Sequence, residues 1–288
     1  MRISTLDPPR VRPDHSAALP SAPLRVPHIP SIVGLTDVGK TRTRNEDSLF
    51  LLPDLGVAVV ADGMGGHPSG NVASRIAAET AATILREELA AEPASGQDVP
   101  TRLGVAMRRS VIRAHHAIRA EGEREPELDG MGTTITAIAV DADTDVFVLG
   151  HVGDSRAYLY RGGKLTQLTR DDTWVQERVE ANLLTLEQAR RHPFAHLLTQ
   201  CLGLEDTPTP TITHGVVTVG DAYLLCTDGL VGMLEDAQVE EILERELGAN
   251  GGKGPVTRTL QALLDAANEA GGHDNITAVL VTIGAARN

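Results

Sequence analysis

Val57-Ala58-Val59-Val60-Ala61-Asp62-Gly63-Met64-Gly65-Gly66-His67 is a β-branched apolar run that ends in an acid and then in a glycine-rich stretch. It reads as a buried strand delivering a carboxylate into a tight turn. Glycines at 63, 65 and 66 remove Cβ atoms, which frees the backbone to take positive φ, to approach a ligand and to offer its carbonyls. Alone the pattern is weak, because Asp-Gly is a common turn pair that recurs at Asp129-Gly130 and Asp228-Gly229. Its weight comes from three further acid turns. Asp154 follows the apolar run 145–152, Asp228 follows Ala222-Tyr223-Leu224-Leu225-Cys226, and Asp274 precedes the run 276–283.

Working outward, residues 32–39 and 49–52 read as strands, and Ala73, Ile76, Ala77, Ala81, Ile84, Leu85 and Leu89 repeat at helical spacing. A second helix carries Leu103, Met107, Val111, Ala114 and Ile118, with His115 and His116 as ordinary helix residues. Two long helices in succession point to a helix layer on a sheet rather than to alternating βαβ units. Strands at 133–140 and 145–152, a hairpin with a Gly162-Gly163 turn, and a last strand at 276–283 predict mainly antiparallel pairing. Helices are expected at 236–247 and 255–270. Residues 169–215 read as a long, loosely structured flap with short helices near 174–180 and 185–191. Within it, His192 and His196 are four apart, but Pro193 breaks the helix that would align them, so no metal pair is expected there.

Composition narrows the function classes. The 288 residues carry 41% hydrophobic but only 2% aromatic residues, so the core must be built from Val, Ile, Leu and Ala, which argues against stacking platforms for single-stranded nucleic acid. A net charge of −13 without a Lys/Arg cluster argues against a nucleic-acid partner. No run approaches a membrane span, and two distant cysteines, Cys201 and Cys226, fit a reduced cytoplasm. Residues 1–30 hold seven prolines and four arginines against two aspartates, and read as a disordered tail ahead of a single domain over 31–288.

Asp62, Asp154, Asp228 and Asp274 can converge at one edge of a sandwich. Gathered carboxylates repel and raise one another's pKa unless a cation neutralises them. Oxygen ligands in a glycine frame select Mg²⁺ or Mn²⁺ over zinc. Two such ions can hold a water for attack on phosphorus, without a serine or cysteine nucleophile. The cluster Arg42-Thr43-Arg44-Asn45-Glu46-Asp47 adds arginines beside acids, the pairing that a phosphate-and-metal site needs.

The ordered set Arg42-x-x-Asn45-Glu46-Asp47, Asp62-Gly63-Met64-Gly65-Gly66, Gly132-Thr133-Thr134, Gly153-Asp154-Ser155-Arg156, Thr227-Asp228-Gly229 and Gly272-x-Asp274-Asn275 closely resembles the bacterial branch of the PPM (PP2C-like) metal-dependent protein serine/threonine phosphatases, over residues 31–285. The resemblance implies an α+β fold, a four-layer α-β-β-α sandwich with a dinuclear Mn²⁺ or Mg²⁺ centre at one edge. It implies that Asp62 bridges both ions, that the Gly63 carbonyl is a ligand, and that Asp228 and Asp274 complete one metal. Glu46 or Asp47 would hold the second ion, and Asp154 with Asp228 a third, weaker one. Arg42 would grip the substrate phosphate with its planar fork. The implied activity is hydrolysis of phosphoserine and phosphothreonine in proteins. The implied partners are phosphorylated proteins and a cognate Ser/Thr kinase, with no nucleic acid or membrane partner and a monomeric, cytoplasmic enzyme.

Three positions depart from the family pattern. Asp172 stands where His commonly follows Leu-Thr-x-Asp, Gln200 stands where Arg is common, and Met64 replaces a histidine of eukaryotic relatives. Two rival readings are a binding protein without turnover, which has no need of four metal acids, and a small-phosphoester phosphatase, which would want an enclosed basic pocket.

Overall fold

Apolar runs too continuous for a half-exposed sheet are here buried from both sides, between a facing sheet and a helix layer. The computed structural model describes residues 28–64, 69–91, 98–204, 206–248 and 255–285. In chain order these form β1 (His28–Asp37), β2 (Asp47–Leu52), β3 (Val57–Met64), α1 (Gly70–Ala90), α2 (Val99–Arg124), β4 (Gly132–Thr133), β5 (Ile135–Asp141) and β6 (Val146–Val152). There follow β7 (Arg156–Arg161), β8 (Lys164–Gln167), α3 (Trp174–Glu180), α4 (Leu186–Arg190), β9 (Thr211–Val216), β10 (Ala222–Cys226), α5 (Asp228–Val231), α6 (Asp236–Leu247), α7 (Val256–Glu269) and β11 (Ile276–Ala285). One sheet runs β1-β11-β10-β7-β8 and the other β2-β3-β5-β6-β9, with β4 paired to β3. The pairings are antiparallel.

The strand period of two divides each buried strand between two cores. Along β3, Val57, Val59 and Ala61 face α1 and α2, whereas Ala58 and Val60 face the other sheet. Along β11, Ile276, Ala278 and Leu280 join α6 and α7, whereas Val279, Val281 and Ile283 face inward. The result is the expected four-layer α-β-β-α sandwich. The β7–β8 hairpin turns on Gly162 and Gly163, both at positive φ (59° and 81°), as a right-twisted two-residue hairpin requires.

The structure departs from the sequence reading in three places. Residues 28–30 are not tail but the start of β1, so the tail boundary at residue 30 and the domain start at 31 move back to 28. Pro30 is tolerated because β1 is an edge strand. Its partner Ile283 directs its own N–H and carbonyl to Asp221 and Gly220 on the far side, so the missing proline N–H faces the open edge. Residues 211–216, read as loop, form the edge strand β9 on β6; its mixed exposed and half-buried pattern lacks an apolar run. Asp62 lies within β3 rather than in the turn after it, since the strand continues to Met64. The rest of that turn, Gly65, Gly66 and His67, and the tail residues 1–27 lie outside the described residues. No helix among the described residues is long and apolar enough to cross a membrane.

If both faces of β11 are core, Leu280→Ala should lower stability by about 2–5 kcal/mol in urea unfolding. Val216→Ala, 65% exposed on the edge strand β9, should stay within about 0.5 kcal/mol.

Candidate metal centre

At one end of the sandwich the inward-facing positions change from Val, Ile and Leu to acids, threonines and a histidine. Continuing the inner-face alternation, Ala58 and Val60 lead to Asp62, Tyr223 and Leu225 to Thr227, and Val281 and Val279 to Thr277. Ile138 leads to Thr136, and Leu149 to His151. In the β2–β3 register Asp47 stands directly opposite Asp62. Like charges in that relation destabilise a sheet, so the pair requires a reason.

Hydrogen bonds to backbone and side chain hold these acids in place. The Asp62 carbonyl accepts from the Thr133 hydroxyl (2.8 Å) and the Thr134 N–H (2.9 Å), while the Asp62 N–H donates to Thr134 Oγ1 (3.0 Å). Thr134 is tied in turn to Ser155 Oγ (2.7 Å), beside Asp154. Thr227 donates its hydroxyl to Asp47 (2.8 Å). Asn275 is the pin of the Arg42–Asp47 loop: its amide donates to the carbonyls of Val38 and Arg44 (both 2.9 Å) and accepts from the Glu46 N–H (2.8 Å). Gly63 is needed for space rather than for positive φ, since a Cβ there would lie 2.1 Å from the Gly70 carbonyl oxygen.

The electrostatics follow from this gathering. Burial, then the charges of Asp228 and Asp274, push the Asp47 carboxyl up to about 8 against the hydrogen bonds of Thr277 and Thr227. Burial, then Asp47, Asp228 and Asp154, hold Asp62 well above the usual carboxylate range. Burial and the charges of Asp228 and Asp171 take Asp154 up to about 8, opposed by His196. Oδ1 of Asp228 is buried with no hydrogen-bond partner. Repelling carboxylates with an orphaned oxygen, and no lysine or arginine among the described residues paired to Asp47, Asp62, Asp154 or Asp228, fit hard divalent cations.

The expected site residues fall as follows. Asp47, Asp62, Asp154, Asp228 and Asp274 come together, as their mutual charge effects register. Glu46 and Asp47, inseparable in the sequence, point apart: the Glu46 carboxylate lies toward Gly70 at the start of α1, where the helix N-terminus favours it, and Asp47 faces Asp62. Arg42 reaches the centre but donates to Asp274 Oδ2 (2.8 Å). The departures are structural joints. Asp172 accepts the Gly153 N–H (3.1 Å), fixing the turn that carries Asp154, and Gln200 accepts the Thr209 N–H (2.8 Å) within the flap.

One residue the sequence reading set aside belongs here. His192 packs its ring on Trp174 (5.0 Å), whereas His196 alone swings to Asp228, Nδ1 to Oδ2 at 3.4 Å. Its hydrogen bond to Asp228 raises its pKa, with burial opposing. The proline that disqualified a helical pair does not prevent a turn from presenting one histidine.

The raised acids set a sign for pH dependence. Between the ordinary carboxylate pKa of 3.8 and about 8, the metal-free fold retains protons at Asp47 and Asp154 that the unfolded chain has released. Its stability therefore falls as pH rises through that window. In EDTA the melting temperature should decline from about pH 5 to about pH 8, and Mn²⁺ should raise it more at the upper end. A metal-free melting temperature that climbs across the window contradicts this.

Comparison with known proteins gives a consistent set of matches. The family model described as Protein phosphatase 2C matches residues 40–280. The chain is 37% identical over 248 residues to the serine/threonine protein phosphatase PstP of Mycobacterium tuberculosis, covering 86% of this chain and 44% of that protein. The chain thus spans less than half the length of that relative. It is 34% identical over 249 residues to the serine/threonine phosphatase stp of Listeria monocytogenes, covering 85% of this chain and 93% of that one. The crystal structure of the PstP catalytic domain, in complex with two manganese ions, superposes with a TM-score of 0.72 at 34% identity, covering 89% and 99% of the two chains.

Proposed function

The chain belongs to the protein phosphatase 2C family, and from that premise we propose that it hydrolyses phosphoserine and phosphothreonine esters in proteins, with two Mn²⁺ or Mg²⁺ ions as cofactors. The observation that carries this reading is the placement of Asp47 opposite Asp62 at the sandwich edge, with Asp154, Asp228 and Asp274 close enough to raise their pKa values. On this reading the partners are phosphorylated proteins and the kinase that modifies them, met in the cytoplasm by a monomer.

When bound, divalent cations neutralise phosphoryl oxygens and acidify water for attack on phosphorus. Asp62, the Gly63 carbonyl, Asp228 and Asp274 would hold one ion, and Asp62 with Asp47 would hold the other. Glu46, turned toward α1, would hold the second ion through water. Thr133 and Thr134 keep Asp62 from shifting by clamping its peptide, and Asn275 sets the loop that brings Arg42 and Asp47 to the edge. Arg42 orients the substrate phosphate with its fork, exchanging its bond to Asp274 for phosphoryl oxygens. The remaining acid, Asp154, has an orientation that depends on Asp172. A protein that merely binds phosphorylated partners would gain nothing from buried, mutually repelling carboxylates.

A phosphopeptide assay with Mn²⁺ tests the reading. Asp62→Asn and Asp228→Asn should each lower kcat by about a hundredfold or more while the fold persists, and turnover undiminished by EDTA contradicts the metal chemistry. Arg42→Ala should raise KM. An unchanged KM would remove Arg42 from the phosphate site.

A further inference from the structure

We infer that the imidazole of His196 is the nitrogen ligand of a cation position shared with Asp154 and Asp228, so that an ion with affinity for nitrogen ties the flap to the acid cluster. This builds on the phosphatase reading of the cluster, but its test does not depend on turnover. Asp154, His196 and Asp228 each offer a donor atom, and the three atoms lie within 4.8 Å of one another. His196 Nδ1 is 3.4 Å from Asp228 Oδ2, and the other oxygen of that carboxylate is buried without a hydrogen-bond partner. His196 is the sole ion-pair partner of Asp228 among the described residues.

The flap backbone holds the imidazole in this place. Turns close from Ala195 N to the His192 carbonyl (2.9 Å) and from Leu197 N to the Phe194 carbonyl (3.1 Å). The Leu197 carbonyl accepts the Trp174 N–H (2.8 Å), and Leu198 bridges to Thr173. Asp172 then joins the two sides of the position: its carbonyl accepts the Thr199 N–H (2.8 Å), its N–H donates to the Gly153 carbonyl (2.7 Å), and its carboxylate accepts the Gly153 N–H. The segment bearing His196 and the turn bearing Asp154 therefore hang on one frame.

Two carboxylates and an imidazole differ in kind from the all-oxygen set around Asp62. Mg²⁺ prefers oxygen and water, whereas Mn²⁺, Co²⁺ and Zn²⁺ accept imidazole. The nitrogen of His196 thus gives this position a preference for Mn²⁺ over Mg²⁺ that aspartates alone do not supply.

The test uses the full chain and its single tryptophan, Trp174, whose ring packs 5.0 Å from His192 and whose N–H is bonded beside His196. Mn²⁺ and Mg²⁺ are titrated separately, with Trp174 fluorescence reporting the flap and calorimetry counting ions. In wild type Mn²⁺ should show a weaker phase, beyond the tight one, that changes the fluorescence. His196→Ala and His196→Gln should each weaken that phase about tenfold or more, leave the tight phase and the melting profile intact, and leave Mg²⁺ titrations as in wild type. Asp154→Asn should remove the same phase. Unchanged Mn²⁺ count and affinity in both His196 variants would overturn the inference, and so would an equal loss of Mn²⁺ and Mg²⁺. Failure of the phosphatase reading has a different signature, namely Asp62→Asn retaining turnover.

Discussion

Two carboxylates, Asp47 and Asp62, face one another across neighbouring strands at the mouth of a hydrophobic sandwich, and the rest of the site is arranged around that repulsion. Withdrawing two such groups from water is costly, and their proximity adds to the cost. Protons can relieve it at low pH and cations at higher pH, and only the second solution leaves charged oxygens available for chemistry. The fold therefore carries a built-in demand for counter-charge at this edge. Among the described residues, lysine and arginine do not meet that demand: Arg42 neutralises Asp274 at the rim and Arg156 is taken by Asp171.

The demand is localised because the surrounding backbone does not yield. Thr133 and Thr134 clamp the Asp62 peptide, Asn275 pins three backbone groups of the 38–46 loop, and a side chain at Gly63 or Gly229 would strike backbone oxygens at 2.1 and 1.9 Å. The contribution of these residues is to prevent the acids from separating, the motion that would otherwise dissipate the repulsion. The flap leaves Leu183, Phe194 and Leu197 open to solvent, a mark of lower local stability than the strands around it.

Much of this was legible in the sequence because buried strands and acid turns have strong local signatures. The runs at 57–60, 222–226 and 276–283 could hardly be anything but core strands, and the Gly162-Gly163 hairpin declared its own turn type. Elements decided by long-range pairing were not legible. Edge strand β9 exists because β6 offers it a partner, and β1 begins at His28 because β11 extends far enough to meet it. In the site, the acids stood out by their glycine neighbours, but the divergence of Glu46 from Asp47 depends on where α1 begins. His196 was hidden for a related reason: its spacing from His192 suggests a helical pair, while a non-helical turn aims it alone at Asp228.

Five acids gathered at one edge call for a pair of divalent ions. Anomalous X-ray scattering from crystals of the full chain grown with Mn²⁺ addresses this requirement most directly. Two neighbouring manganese peaks should flank the Asp62 carboxylate, one of them also against Asp228 and Asp274. Crystals saturated with Mn²⁺ that show no peak between Asp47, Asp62 and Asp228 would contradict it.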